Sequence, residues 1–312
     1  MRWLIVGAGA LGGYFGARLL AAGRDVTFLL RPRRAEQHAR TGLVVASRFG
    51  DLALPTPRHV LADGIDGPYD VVVVACKAYD LAETIESFAP AVGPDTAILP
   101  LLNGMRHFDA LQARFGSERV LGGLAIISAT LDDAGTVRHL NDLHLLAFGE
   151  LDGTRSARVE AIRRDCDGAG FEGRASDDIV QELWEKWIFI ATFAGLTCLM
   201  RSSIGDIVAA GGAGLGVALA DECAAIAAAS GRAPRAETMA RVRAAVAAAV
   251  SPISASMLKD LERGARVEAD HVIGDLLARA GHAAAPPTLL RIASVHLKTY
   301  EARRTRLAAA AS

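Results

Sequence analysis

Cysteine is scarce in this chain, and what there is lies scattered. The 312 residues hold four, Cys76, Cys166, Cys198 and Cys223, with no C-x-x-C spacing among them. Cysteines so placed build neither a metal site nor a disulfide framework, so no metal is expected and a reducing, cytoplasmic setting is. Net charge is nearly absent as well: 34 Lys and Arg against 35 Asp and Glu leave −1. No basic tract and no basic face interleaved with aromatics occurs, which argues against nucleic acid as a partner. The longest apolar run, residues 207–220, is short and glycine-rich for a bilayer and is closed by Asp221-Glu222, so no membrane partner is expected. One Arg precedes an apolar stretch at the start, but the glycines that follow fit a strand and turn better than a leader peptide. What the chain does have is apolar material: 51% hydrophobic residues against 22% charged ones, enough for a large core, over a length that suits two domains.

The most informative stretch is at the beginning. Arg2-Trp3-Leu4-Ile5-Val6 reads as a strand and runs into Gly7-Ala8-Gly9-Ala10-Leu11-Gly12, a G-x-G-x-x-G turn followed by a helical stretch. That order sets backbone N–H groups and a helix N-terminus against a pyrophosphate. Gly7 permits the tight turn, Gly9 lets phosphates approach, and Gly12 lets the helix pack close to the strand. Further strands are expected at residues 25–30, 70–76, 96–102, 120–128 and 143–148, with a hairpin over 43–47 and 52–54. Pro100 is out of place in a central strand. Strands alternating with helices imply a parallel sheet covered on both faces. The pattern turns helical near Arg174: Asp178 precedes a helix from Ile179, Ala-rich or amphipathic segments follow at 236–250 and 269–280, and Pro286-Pro287 breaks the chain before a last helix at 289–302. The expected architecture is α/β, an N-terminal doubly wound Rossmann sheet over residues 1–175 and an all-helical domain over 176–312.

The end of the second strand indicates which dinucleotide. NAD-binding folds place there an acid that accepts from the ribose 2′-hydroxyl. This chain has Arg31-Pro32-Arg33-Arg34 and no Asp or Glu from Thr27 to Arg34. A guanidinium suits a 2′-phosphate through charge-assisted, bidentate contacts. NADP(H) is therefore expected, held chiefly by Arg31 with Arg33 or Arg34 assisting; an ordinary solvated basic turn is the alternative.

Candidate chemistry sits at two places. Lys77 and Asn103 each follow a strand at its carboxyl end, where such sheets bind ligands. Singly, one reads as a surface lysine and the other as a turn residue; together they favour the nicotinamide end. In the helical half, Lys186 lies between Trp184 and Trp187 with Ile188, Phe189, Ile190 and Ala191 following. A lysine buried there has its pKa lowered by desolvation and suits a general acid, while a lysine at the solvent edge of the helix is the alternative. Ser254 and Ser256 suit helix caps, or Ser256 a carboxylate ligand; Glu268 suits a lysine or substrate partner, or a helix-start carboxylate.

Taken in order, these motifs resemble the ketopantoate reductases (2-dehydropantoate 2-reductases). The resemblance rests on Gly7 to Gly13, Cys76-Lys77-Ala78-Tyr79, Leu102-Asn103-Gly104-Met105, Leu183-Trp184-Glu185-Lys186 and Ser256-Met257-Leu258-Lys259-Asp260 leading to Glu268-Ala269-Asp270 and Gly274. It implies a Rossmann domain and a helical domain with a cleft between them, and hydride transfer from NADPH to the C2 carbonyl of a 2-oxo acid. It implies Lys186 as general acid, Lys77 and Asn103 near the nicotinamide ribose and substrate, Ser256 on the substrate carboxylate, and Glu268 as the acidic partner. Four positions depart from the family pattern: Ile190, Ala194, Ile253 and Ile273 stand where asparagines are expected. Each removes a group able to hold a hydroxyl and leaves the pocket more apolar.

The expected function is reduction of a small 2-oxo acid, 2-dehydropantoate by default. A related reductase of a bulkier or more apolar oxo acid is the first alternative, and a non-catalytic NADP(H)-binding sensor the second. The oligomeric state is left open, a homodimer included.

Overall fold

The computed structural model describes residues 1–280 and 288–311. Pro286-Pro287 lies outside the described residues. The chain divides into two compact units, one of Met1–Leu102 with His107–Val180, the other of Asn103–Arg106 with Gln181–Ser312.

The first unit opens with β1 (Arg2–Val6), α1 (Ala10–Ala21), β2 (Asp25–Leu29) and α2 (Pro32–Thr41). Strands β3 (Leu43–Ala46), β4 (Leu52–Leu54) and β5 (His59–Val60) follow, then β6 (Val71–Val74), α3 (Leu81–Phe88), β7 (Ala97–Pro100) and α4 (Arg106–Phe115). The unit closes with β8 (Leu121–Leu131), β9 (Val137–Glu150), α5 (Ala157–Cys166) and β10 (Glu172–Ala175). Five strands form a parallel sheet in the order β5-β2-β1-β6-β7. The order reverses at β1, so the carboxyl ends of β1 and β6 flank the switch point where such sheets bind ligands. All four residues of β6 are buried valines, as a central parallel strand requires. Pro100 is accommodated because β7 is the outer strand: Leu101, not Pro100, donates to the Val74 carbonyl, over 2.8 Å.

The 43–54 hairpin forms, but it joins a second sheet, β10-β9-β3-β4 with β8 paired on β9, rather than the parallel one. The strands expected at 120–128 and 143–148 are the two arms of that sheet's long antiparallel pair. Helix α1 packs against both sheets through its glycines. A Cβ on Gly16 would lie 2.6 Å from Phe28 of the first sheet, and one on Gly13 2.8 Å from Val137 of the second. The buried side chains of the two sheets therefore form one core with α1 inside it.

Among the described residues the second unit is helical. Its elements are α6 (Ile179–Met200), α7 (Ile204–Ala209), α8 (Ala213–Ala229), α9 (Ala236–Val246), α10 (Ser256–Glu262), α11 (Asp275–Arg279) and α12 (Leu289–Ala311). The apolar run 207–220 is split by Gly211-Gly212 between α7 and α8. Among the described residues the helix long and apolar enough to cross a membrane is instead α6, and 72% of its most apolar window is buried inside the protein, as in a core helix. Residues 270–274 form a π-helical turn running directly into α11.

Candidate functional site

In the first unit the glycine turn has the shape the sequence reading gave it. Gly7 has φ +93°, a conformation that favours glycine. A Cβ on Gly12 would stand 2.0 Å from the Gly7 carbonyl and 3.2 Å from the Ala75 Cβ, so only glycine lets α1 approach β1 and β6 this closely. A Cβ on Gly9 would meet nothing within 4 Å, leaving space at the start of α1. The N-cap of α1 is Gly9 with no side-chain cap, and the first turn, starting at Ala10 and Leu11, holds no acid. Uncapped N–H groups beside open space fit a pyrophosphate.

Arg31, two residues beyond β2, is the N-cap of α2 and more than half exposed. Its guanidinium meets two carboxylates of the chain, Asp80 at 3.3 Å and Glu83 at 3.2 Å. The acid missing from residues 27–34 is thus supplied from beyond β6. Arg34 is occupied otherwise: it donates to the carbonyls of Ala8 (3.0 Å) and Gly135 (3.2 Å) and to Gln37. Its buried Nε has no hydrogen-bond partner, and burial lowers its pKa. Arg34 thus braces the glycine turn and is not available to a 2′-phosphate as Arg33, exposed, is. Lys77, half-buried, begins a short turn after β6, with the Asp80 N–H donating to its carbonyl over 2.9 Å.

In the second unit Lys186 lies on α6, half-buried, two residues into the run that follows Trp184. Burial pushes its pKa down to about 8, and the Glu268 carboxylate opposes that shift. Glu268, half-buried, directly precedes the helical segment that includes the π-turn, and its carbonyl accepts from the Val272 N–H over 2.9 Å. The charge of Glu268 therefore reaches Lys186. The structure adds Asn103: this half-buried residue and Gly104, with φ +79°, pack against His271, whose ring bonds to the Asn103 main chain. Ser256 is exposed at the first position of α10. The capping expected of the serines does not occur, because Ala255 is the N-cap and no side chain caps the helix.

Of the four asparagine replacements, Ala194 and Ile273 are core residues, Ile273 with no exposed surface and its Cδ1 3.9 Å from where a Gly195 Cβ would be. Ile190, one turn beyond Lys186, is half-buried, and Ile253 is half exposed. A lysine, an isoleucine and an alanine at i, i+4 and i+8 lie on one helix face.

Comparison with known proteins decides the family. The family model described as ketopantoate reductase PanE/ApbA matches residues 3–153, and its C-terminal counterpart matches residues 178–301. The chain belongs to the ketopantoate reductase family. An uncharacterized oxidoreductase of Bacillus subtilis, YkpB, is 36% identical over 97% of this chain and all of its own length. A 2-dehydropantoate 2-reductase of Mesorhizobium japonicum is 29% identical, covering 88% of this chain and 89% of that one. The crystal structure of 2-dehydropantoate 2-reductase from Geobacter metallireducens matches with a TM-score of 0.87 and 31% identity, over 96% of this chain and 99% of that one. This ketopantoate reductase family member is accordingly an NADP-dependent oxidoreductase acting on a CH–OH group, which reduces a small 2-oxo acid.

Four residues in contact with the candidate site residues, or adjoining them, are not singled out by the sequence of this family member. Glu185, next to Lys186, is buried and bound by the Arg235 guanidinium (2.5 and 2.8 Å), the Arg235 main-chain N–H (2.8 Å) and Thr238 (3.0 Å). Burial disfavours its charge, but these bonds, with one from Gln181, outweigh it and hold the carboxyl down to about 2. Asp80 and Glu83 are about fifty residues from Arg31 in sequence, so no local pattern ties them to it. His271 had a local signal, a histidine three residues beyond Glu268 in a helical segment, but its partner Asn103 is remote.

Proposed function

We propose that the chain reduces 2-dehydropantoate to (R)-pantoate with NADPH, the step that leads to pantothenate and coenzyme A, in the cytoplasm. The observation that carries this reading is the half-buried Lys186, on which the charge of Glu268 acts, in the same unit that holds Asn103. The cofactor supplies the hydride that reaches C2 of the oxo acid. Gly7, Ala8, Gly9, Ala10, Leu11 and Gly12 bind its pyrophosphate through main-chain N–H groups and the helix N-terminus. Arg31 would hold the 2′-phosphate in place of its ion pairs with half-buried Asp80 and exposed Glu83, which are weak for a largely exposed guanidinium. Lys77 and Asn103 orient the nicotinamide ribose and the substrate. Ser256 binds the substrate carboxylate through its hydroxyl.

Lys186 does the chemistry assigned to an acid. Its ammonium stabilises the negative charge growing on the C2 oxygen and then donates a proton to it. Burial brings its pKa close to neutral, which favours the proton's departure; Glu268 keeps enough ammonium present to donate. The first unit thereby serves the cofactor, and the second, which includes Asn103, the reaction.

A second reading rests on Ile190 and Ala194, which follow Lys186 along one face of α6 where hydroxyl-binding asparagines were expected. It assigns a more apolar 2-oxo acid as substrate. A site without hydroxyl-binding groups gives up the strong discrimination they provide. A panel of 2-oxo acids scored by NADPH oxidation tests both readings. Highest kcat/KM for 2-dehydropantoate supports the first, preference for a branched or aryl oxo acid supports the second, and NADPH binding without turnover of any of them removes both in favour of a sensor.

A further inference from the structure

His271 is a buried, titratable residue that the proposed reaction does not use. It lies on the π-helical turn of residues 270–274, an irregularity frequent at functional sites. Three contacts fix its place. Its ring bonds to the main chain of Asn103. Its Cδ2 and main-chain oxygen lie 3.2 and 2.8 Å from where a Cβ on Gly104 would stand, so the ring and backbone press directly on the Asn103-Gly104 turn. The next residue, Val272, accepts a buried hydrogen bond from the Trp187 indole Nε1 over 2.8 Å, and Trp187 adjoins Lys186 on α6. The charged groups that act on the ring are Glu268, Asp275 and Arg106. Glu268 thus acts on both His271 and Lys186.

We propose that His271 is a positioning residue, which holds the Asn103-Gly104 turn in register with the helix that carries Lys186. This rests on the reading of Lys186 and Asn103 as site residues, but the mechanical part stands on contacts within one unit. A phenylalanine keeps the ring volume and loses the N–H donor. Asparagine or glutamine restores an amide donor near one or the other ring nitrogen. A displacement of even about 1 Å at a reacting group costs up to about a hundredfold in rate, so a loosened turn is visible in kinetics.

The test combines hydrogen–deuterium exchange with steady-state kinetics on the full chain. In His271→Phe, amides of residues 101–107 are expected to exchange at least about tenfold faster than in the parent, with Tm lowered only by what one lost hydrogen bond costs. Its kcat with the best oxo acid of the panel is expected to fall about tenfold. Either His271→Asn or His271→Gln is expected to recover most of both effects. Parent-like exchange and kcat in His271→Phe overturn the proposal, as does failure of both amides to recover either. Where His271→Phe does not fold, His271→Leu takes its place: parent-like exchange in it overturns the role, and fast exchange that either amide variant recovers supports it. Undiminished turnover in Lys186→Ala would instead remove the catalytic reading, and exchange at residues 101–107 would still judge His271.

Discussion

The indole of Trp187 donates to the main-chain carbonyl of Val272 over 2.8 Å, a buried bond between residues 85 apart in sequence. It ties the helix that carries Lys186 to the segment that carries Glu268. Replacing Trp187 with Phe removes this buried hydrogen bond. The expected loss is about 0.5–1.5 kcal/mol of stability from the bond, measured by urea denaturation, with further loss from the smaller ring. Because Lys186 and Glu268 then lose their common anchor, activity is expected to fall in the protein that remains folded.

Two glycines of the turn are expected to fail in different ways. Gly12→Ala sets a Cβ 2.0 Å from the Gly7 carbonyl and forces α1 away from its strand, so thermal stability falls along with NADPH binding. Gly9→Ala meets nothing within 4 Å, so stability is kept while NADPH affinity, followed by nicotinamide fluorescence, drops. Equal stability losses in the two variants would contradict this division.

Arg31 faces Asp80 and Glu83. Its replacement by Ala is expected to raise the KM for NADPH about tenfold to a hundredfold, the value of a charge-assisted contact of about 1.5–3 kcal/mol, and to leave the KM for NADH nearly alone. Glu83→Gln removes one competing carboxylate and is expected to lower the KM for NADPH. Equal effects on both cofactors would assign Arg31 to the ordinary solvated turn.

Glu185 and Arg235 give a pH-dependent stability. The folded-state pKa of Glu185, about 2, lies below the usual carboxyl value of 4.5, so its contribution is fully present above that value and is lost as pH falls toward 2. Arg235→Ala is therefore expected to lower Tm at pH 7, with the gap to the parent closing between about pH 4.5 and 2.

Much of this was legible in the residue order. Periodicity placed β1, β2, β6 and β7, because strands buried on both faces read as unbroken apolar runs such as residues 71–74. The glycine turn was legible because its glycines answer steric needs within a few residues of one another. The second sheet was not, since its pairings, such as β3 with β9, join segments about ninety residues apart. Ser256 carried no signal that told an exposed helix start from a cap. The partners of Arg31, Arg34 and Glu185 escaped for a related reason: a charge in sequence reveals its type but not which remote carboxylate or carbonyl the fold brings to it.

The central claim is that Lys186 acts as the acid, and the pH dependence of oxo-acid reduction tests it most directly. Burial sets the Lys186 pKa at about 8, and Glu268 opposes the shift, so the ammonium needed for proton donation is lost above that pH. The account predicts that kcat/KM for NADPH-dependent reduction declines above about pH 8, and that Glu268→Gln moves the decline to lower pH. Lys186→Ala is predicted to lower the rate about a hundredfold or more and to abolish that decline. A rate in Lys186→Ala equal to the parent's, or the same alkaline decline with the lysine gone, would contradict the account.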